Sequence, residues 1–221
     1  MMVSQSYFMS SIGKKQIMAL TGLGLLGFTA THLLGNVLIF FGPDAFNLYG
    51  HTLTSNPLLI VAELGLAAMF VLHLVLAALT VTENKRARPV NYYVKTRTGR
   101  GETLASKTMP LTGFIILIFI ILHLWNFKYG TNYETTVDGV AMRDLFRTVV
   151  EYFASPLYVA WYVFAMFTLG FHTSHGFQST FQSWGLRHPK YTPAIDMMSI
   201  AYGVVVAVGF STMAIYCHFQ N

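Results

Sequence analysis

Five stretches without a single Lys, Arg, Asp or Glu dominate this chain: residues 16–43, 64–82, 108–127, 152–186 and 197–221. A helix crosses the hydrocarbon of a bilayer with roughly 20 mainly apolar residues. Each run is long enough or nearly so. Only 10% of the 221 residues are charged, against about a quarter in soluble domains. The expected fold is an all-α integral membrane protein forming one domain, residues 1–221. Its five transmembrane helices are expected near 17–41, 57–81, 109–127, 156–184 and 194–218, the first four forming a bundle. Lys14 and Lys15 precede the first run as in a signal peptide, but a signal core spans only about 7–15 residues. The first run is therefore expected to be a retained helix.

Charge orients the bundle. Of the 14 Lys and Arg, 11 fall on one side: Lys14 and Lys15, then Lys85, Arg86, Arg88, Lys95, Arg97, Arg100 and Lys107, then Arg187 and Lys190. Lys128, Arg143 and Arg147 fall on the other. The positive-inside rule puts the N-terminus in the cytoplasm and the C-terminus outside, with residues 83–107 as the cytoplasmic docking stretch. The basic pI of about 9.3 is then a topology signal, with no nucleic-acid partner implied. The single Cys217 excludes an internal disulfide, a CxxCH haem attachment and an iron–sulfur cluster held by this chain alone.

Between the runs, Gly42-Pro43-Asp44 reads as a turn leading into an outer loop at 45–56 that holds Asn47, Tyr49 and His51. Pro57 suits the first turn of the second span, and Glu63 lies one to two turns in, as a cavity-facing or proton-moving carboxylate. The third span ends in an aromatic belt around Trp125. The outer segment 130–155 is read as a loop with a short surface helix around 142–153. No long repeat is visible.

The first four spans carry one histidine each at depth: His32, His73, His123 and His172, with His175 one turn after the last. Intramembrane ionisable groups are functional-site candidates because hydrocarbon leaves them no water. His32 stands 17 residues past Lys15 and His123 stands 16 past Lys107. His73 and His172 stand 12 residues before Lys85 and Trp184. At 1.5 Å per residue these are depths of roughly 25 Å and roughly 18 Å from the basic side. They sort into an outer pair, His32 with His123, and an inner pair, His73 with His172 or His175. Two such pairs suit two bis-histidine b-type haems stacked across the bilayer, with axial ligands taken from facing helices. Gly22, Gly24, Gly27 and Gly35, with Gly170 and Gly176, would leave room for the macrocycles. The competing reading is that these histidines only hydrogen-bond between helices. His188 and His218 read as interfacial.

The segment ALTGLGLLGFTATHLLGNVLIFFGPDAFNLY at 19–49, LHL at 72–74, LHLW at 122–125 and FHTSHGFQSTFQSWGL at 171–186 together resemble a known family. It is the cytochrome b membrane anchor of succinate dehydrogenase and fumarate reductase (complex II), in its single-chain, five-helix, di-haem form. The resemblance matches His172, Gly176, Trp184 and Gly185, and so selects His172 over His175. It implies two haem b held by His32/His123 and His73/His172. It also implies a flavoprotein and an iron–sulfur subunit on the cytoplasmic face, and membrane quinone, expected to be menaquinone, as the electron partner. The setting would be the bacterial cytoplasmic membrane, within a respiratory complex that admits a higher oligomer. Asn47, His51 and Trp125 are the quinone candidates, and Lys85, Arg86 and Arg88 are candidates for pairing with inner-haem propionates. Gly170 stands where some fumarate-reducing members carry a proton-path glutamate, which inclines the reading towards succinate oxidation. Three alternatives remain at this level: the cytochrome anchor of a formate dehydrogenase or hydrogenase, a proton-coupled transporter, and an intramembrane metalloenzyme.

Overall fold

A computed structural model describes residues 7–87 and 104–220. Most of the expected docking stretch, with Arg88, Lys95, Arg97 and Arg100, therefore lies outside the described residues. Helix α1 (Ser11–Asn36) starts under a Ser10 cap whose hydroxyl accepts from the Gly13 amide, and it runs on as a 3₁₀ turn, Val37–Phe41. Helix α2 (Pro43–Thr54) follows, then α3 (Leu59–Arg86) and α4 (Leu104–His123), which widens into a π turn at Leu124–Lys128. Strands β1 (Glu134–Val137) and β2 (Val140–Arg143) form an antiparallel hairpin. Helices α5 (Leu145–Phe153), α6 (Pro156–Ser183) and α7 (Thr192–His218) complete the described chain.

The spans at Ser11–Phe41, Leu59–Arg86, Ser106–Lys128 and Thr192–His218 are long and apolar enough to cross a membrane by themselves. Helix α6 qualifies only together with α5, from which it bends by 99°. Its 28 residues reach about 42 Å, so composition rather than length sets it apart. His172, Thr173, Ser174, His175, Gln178, Ser179 and Thr180 crowd its second half, which marks it as the helix turned to polar work inside the bundle.

Helices α1, α3, α4 and α6 form the expected four-helix arrangement: α1 packs on α3 and α6, α4 packs on α6, and α3 touches α4 thinly. Helix α3 turns nearly all its apolar residues outward; only Leu76 is buried. Such an exposed apolar face is what lipid accepts and water does not. Helix α7 lies against α6, crossing where Gly170 meets Gly203. The crossing is reinforced by Gln178 donating to Ser199 at 2.7 Å, and Tyr202 ties α7 to α1 by donating to the Leu26 carbonyl at 2.6 Å. The apolar core, with Phe46, Phe119, Phe153, Tyr162, Met166 and buried Cys217, sits towards one end of the bundle.

That end carries a cap that differs from the loops expected. Residues 45–56 are mostly helix: Pro43 occupies the first turn, where its missing N–H costs nothing, and Asp44 sits at the positive end of the helix dipole. The segment 130–155 contains a hairpin before its helix. Asp138 (φ 50°) and Gly139 (φ 79°) make the tight turn that Asp-Gly favours, and Met142 and Arg143 belong to the strand rather than to the helix. Asn47 clasps the two parts together. It is 2% exposed, donates to Asp144 at 2.9 Å and accepts from the Phe146 amide at 2.8 Å. At the opposite end, the buried Lys14 ammonium is paired with Glu83 across α1 and α3, and Arg187 with Asp196 at 2.9 Å.

Candidate functional site

One histidine pair is in contact inside the four-helix arrangement, and two further expected histidines are seated there in sockets of their own. His32 of α1 and His123 of α4 face one another with ring centroids 5.9 Å apart. Two imidazoles that each place a nitrogen about 2 Å from one metal have centroids about 6 Å apart. His73 of α3 and His172 of α6 are each held by a threonine hydroxyl of a neighbouring helix. Among the described residues no three His, Cys, Asp or Glu side chains converge. The donor set is thus paired imidazoles, as axial haem ligation requires, rather than the three protein ligands of a hydrolytic zinc.

The second pair is held by a device that appears twice. His73 Nδ1 lies 3.1 Å from the Thr21 hydroxyl and 3.1 Å from the Met18 carbonyl of α1. His172 Nδ1 lies 2.9 Å from the Thr112 hydroxyl of α4. Each threonine donates its one proton to a carbonyl of its own helix: Thr21 to Ile17 or Met18, Thr112 to Thr108 or Met109. The Met18 carbonyl can only accept, so His73 carries its proton on Nδ1 and keeps its Nε2 lone pair; the Thr112 hydroxyl, donating within α4, lets His172 adopt the same tautomer. The glycine after each threonine makes the room. A Cβ on Gly22 would lie 3.3 Å from His73 Cε1, and one on Gly113 would lie 3.6 Å from His172 Cε1.

These sockets were not anticipated from sequence, yet a signal exists. Thr21-Gly22 precedes His32 with nine residues between glycine and histidine, and Thr112-Gly113 precedes His123 with the same nine. Helices α1 and α4 therefore each carry one histidine of the His32–His123 contact and the threonine socket of another histidine, ten residues or about 15 Å apart along the axis.

His175 is turned to its own helix, with Nε2 3.1 Å from the Ser179 hydroxyl. Gly27 and Gly176 face open space, whereas Gly24 backs on Met69, Gly35 on the Tyr49 ring and Gly170 on Gly203. The last three serve packing, a correction to the expectation that all six glycines make room for a macrocycle. Glu63 is not cavity-facing: it pairs with Lys128 at the capped end. Trp125 is 71% exposed on the π turn, His51 sits in the last turn of α2 beside Ser55 at 3.4 Å, and both ends of the Asn47 amide are engaged as described. Asn47 and His51 stand one turn apart on α2, and Trp125 lies on the π turn after α4. His218 Nδ1 lies 2.8 Å from the Phe153 carbonyl and ties α7 to α5, and His188 accepts from the Lys190 amide at 3.2 Å. Lys85 and Arg86 lie in the last turn of α3.

The sequence profile described as succinate dehydrogenase/fumarate reductase transmembrane subunit matches residues 84–213, or 130 of 221. The chain belongs to this family. The matched stretch holds His123, His172, Thr112 and Tyr162; His32 and His73 precede it. Comparison with curated proteins and with solved structures gave no match. Of the readings open at sequence level, the succinate dehydrogenase/fumarate reductase family retains the membrane anchor of that complex. It associates such a chain with flavoprotein and iron–sulfur subunits.

Proposed function

We propose that this chain is the di-haem b anchor of a succinate:quinone oxidoreductase, passing electrons between the flavoprotein/iron–sulfur subunits and membrane quinone. The observation that carries the reading is the meeting of His32 with His123, ring centroids 5.9 Å apart; the Thr-Gly sockets of His73 and His172, the proposed inner ligands, support it. Haem b, when bound, supplies one-electron redox chemistry. The chain's own residues fix the two stations, set the imidazole tautomers and, at Gly27 and Gly176, leave space beside them. On the charge distribution, the end with Lys14, Lys85 and Arg187 is cytoplasmic and receives the partner subunits. Lys85 and Arg86 remain candidates for the inner propionates, and the capped end faces outwards in a bacterial cytoplasmic membrane.

Quinone, with menaquinone the expected species, would meet the outer station at the capped end. His51 and Trp125 stay as boundary candidates there, while the buried Asn47 clasp is better read as structural. An apolar groove of about 450 Å³, lined by Ile118, Leu122, Leu157, Tyr158 and Trp161, offers a further seat. Gly170 leaves no room for a proton-path glutamate, since even a Cβ would overlap the Gly203 carbonyl and lie 2.8 Å from the Ala207 Cβ. This agrees with the succinate-oxidising direction. The test is spectroscopic: the purified complex should show reduced b-type α-bands and two haems per chain. His172→Ala should abolish the inner haem and His175→Ala should keep it. Absence of haem, or the reverse outcome for the two variants, would overturn the proposal.

A further inference from the structure

The outer pair is held differently from the inner one. His123 Nδ1 lies 3.2 Å from the hydroxyl of Tyr162 on α6. That hydroxyl lies 3.4 Å from the Tyr158 hydroxyl, which accepts from the Asn126 amide at 2.5 Å. Asn126 sits in the π turn directly after His123, and π turns recur at functional sites because the widened backbone re-aims a side chain. Tyr162 is 6% exposed. Its ring is wedged by Phe119 at 5.0 Å, Phe153 at 4.8 Å and Tyr158 at 4.9 Å between centroids. An aromatic so packed cannot swing its hydroxyl away.

We infer that Tyr162 is the positioning residue of His123, and that Asn126 and Tyr158 hold it in register. The inference rests on the di-haem reading. With Nε2 kept for iron, His123 must carry its proton on Nδ1 and donate it to the Tyr162 oxygen. The inner sockets are closed, because both threonine protons return to their own helices. The outer socket instead continues through a second phenol to Tyr158, which also lines the apolar groove between α4 and α6. The two stations are thus tuned by different chemistry: aliphatic hydroxyls bonded within their own helices inside, two phenols of α6 tied back to the end of α4 by Asn126 outside.

Redox potentiometry of the intact complex tests this, haem by haem. Tyr162→Phe keeps the ring and removes only the oxygen. The acceptor that raises ligand basicity is lost, so the outer haem should become easier to reduce. The expected change is about 3–10-fold in its one-electron equilibrium, at most about 59 mV, with the inner couple unmoved. Tyr158 donates to the Tyr162 oxygen and Asn126 to the Tyr158 oxygen, so Tyr158→Phe and Asn126→Leu free the Tyr162 oxygen for His123 and should shift the same couple by less in the opposite direction; they supply the test if Tyr162→Phe fails to assemble. Two haems present with an unmoved outer couple, or a shift confined to the inner couple, would overturn the inference while leaving the di-haem reading intact. Wild-type complex without two b-type bands would sink that reading first.

Discussion

Replacing Thr112 by valine removes one oxygen and changes the side-chain shape hardly at all. The oxygen is the partner of His172 Nδ1 at 2.9 Å. Without it the ring N–H is left buried and unpaired, at a cost of about 1–3 kcal/mol. The ring can escape that cost only by moving its proton to Nε2, which on the di-haem reading gives up the lone pair meant for iron. Either way, affinity at the inner station should fall by roughly 5–150-fold. Thr21→Val removes the equivalent oxygen from His73, yet the Met18 carbonyl stays 3.1 Å from the same nitrogen. No group is orphaned there, and the loss should be below about 1 kcal/mol. Haem per chain, from pyridine haemochrome spectra after purification at matched haem concentration, should drop towards one in Thr112→Val. It should stay near two in Thr21→Val and in the control Thr112→Ser. Equal losses in both valine variants, or none in either, would refute the tautomer argument.

Other outcomes follow from single features. Gly170→Ala drives a Cβ into the Gly203 carbonyl and to 2.8 Å from the Ala207 Cβ. Overpacking of this kind costs about 1–3 kcal/mol, so α6 and α7 should part and the complex should lose its α-band at lower temperature in detergent; an unchanged transition would argue against the crossing. Asn47→Ala leaves the Phe146 amide without its partner, for about 1–3 kcal/mol, and should speed amide exchange in α2 and α5 while leaving both haems in place. At the cap, hydrogen bonds from the Tyr133 hydroxyl and then from Arg147 hold the Glu151 carboxyl below its ordinary 4.5. A depressed folded value stabilises above the unfolded value and is lost as pH falls through the folded one. Exchange in residues 130–155, corrected for its intrinsic pH dependence, should therefore rise below about pH 4.5. Glu151→Gln should erase that rise, and a rise of the same size in the variant would contradict the assignment.

The long spans were legible because charge marks their ends and nothing within them competes with helix. The surface cap was harder to read. Helix α2 has only 12 residues, and its cue was Pro43-Asp44, which serves a turn as readily as a helix start. The cue for the hairpin is Asp138-Gly139 between Val137 and Val140, a dipeptide that open loops carry as readily as tight turns. Histidine depths could be counted from flanking charges, so the His32–His123 contact was accessible to arithmetic. Their partners were not: Thr112 and His172 are 60 residues apart, Thr21 and His73 are 52 apart. Glu63 and Lys128 likewise meet only through the packing of α3 beside the end of α4. No local pattern encodes such meetings, and helix rotation decides them.

The spacing of nine residues between Gly22 and His32, repeated between Gly113 and His123, works as a caliper cut into two rigid beams. One inserted residue in either interval would turn the histidine by about 100° and lift it about 1.5 Å relative to the glycine, so one station would be lost to keep the other. The gap between stations is therefore indifferent to loop length, to the cap and to bilayer thickness. Evolution can retune what surrounds each imidazole, but it can move one station relative to the other only by rebuilding both helices at once.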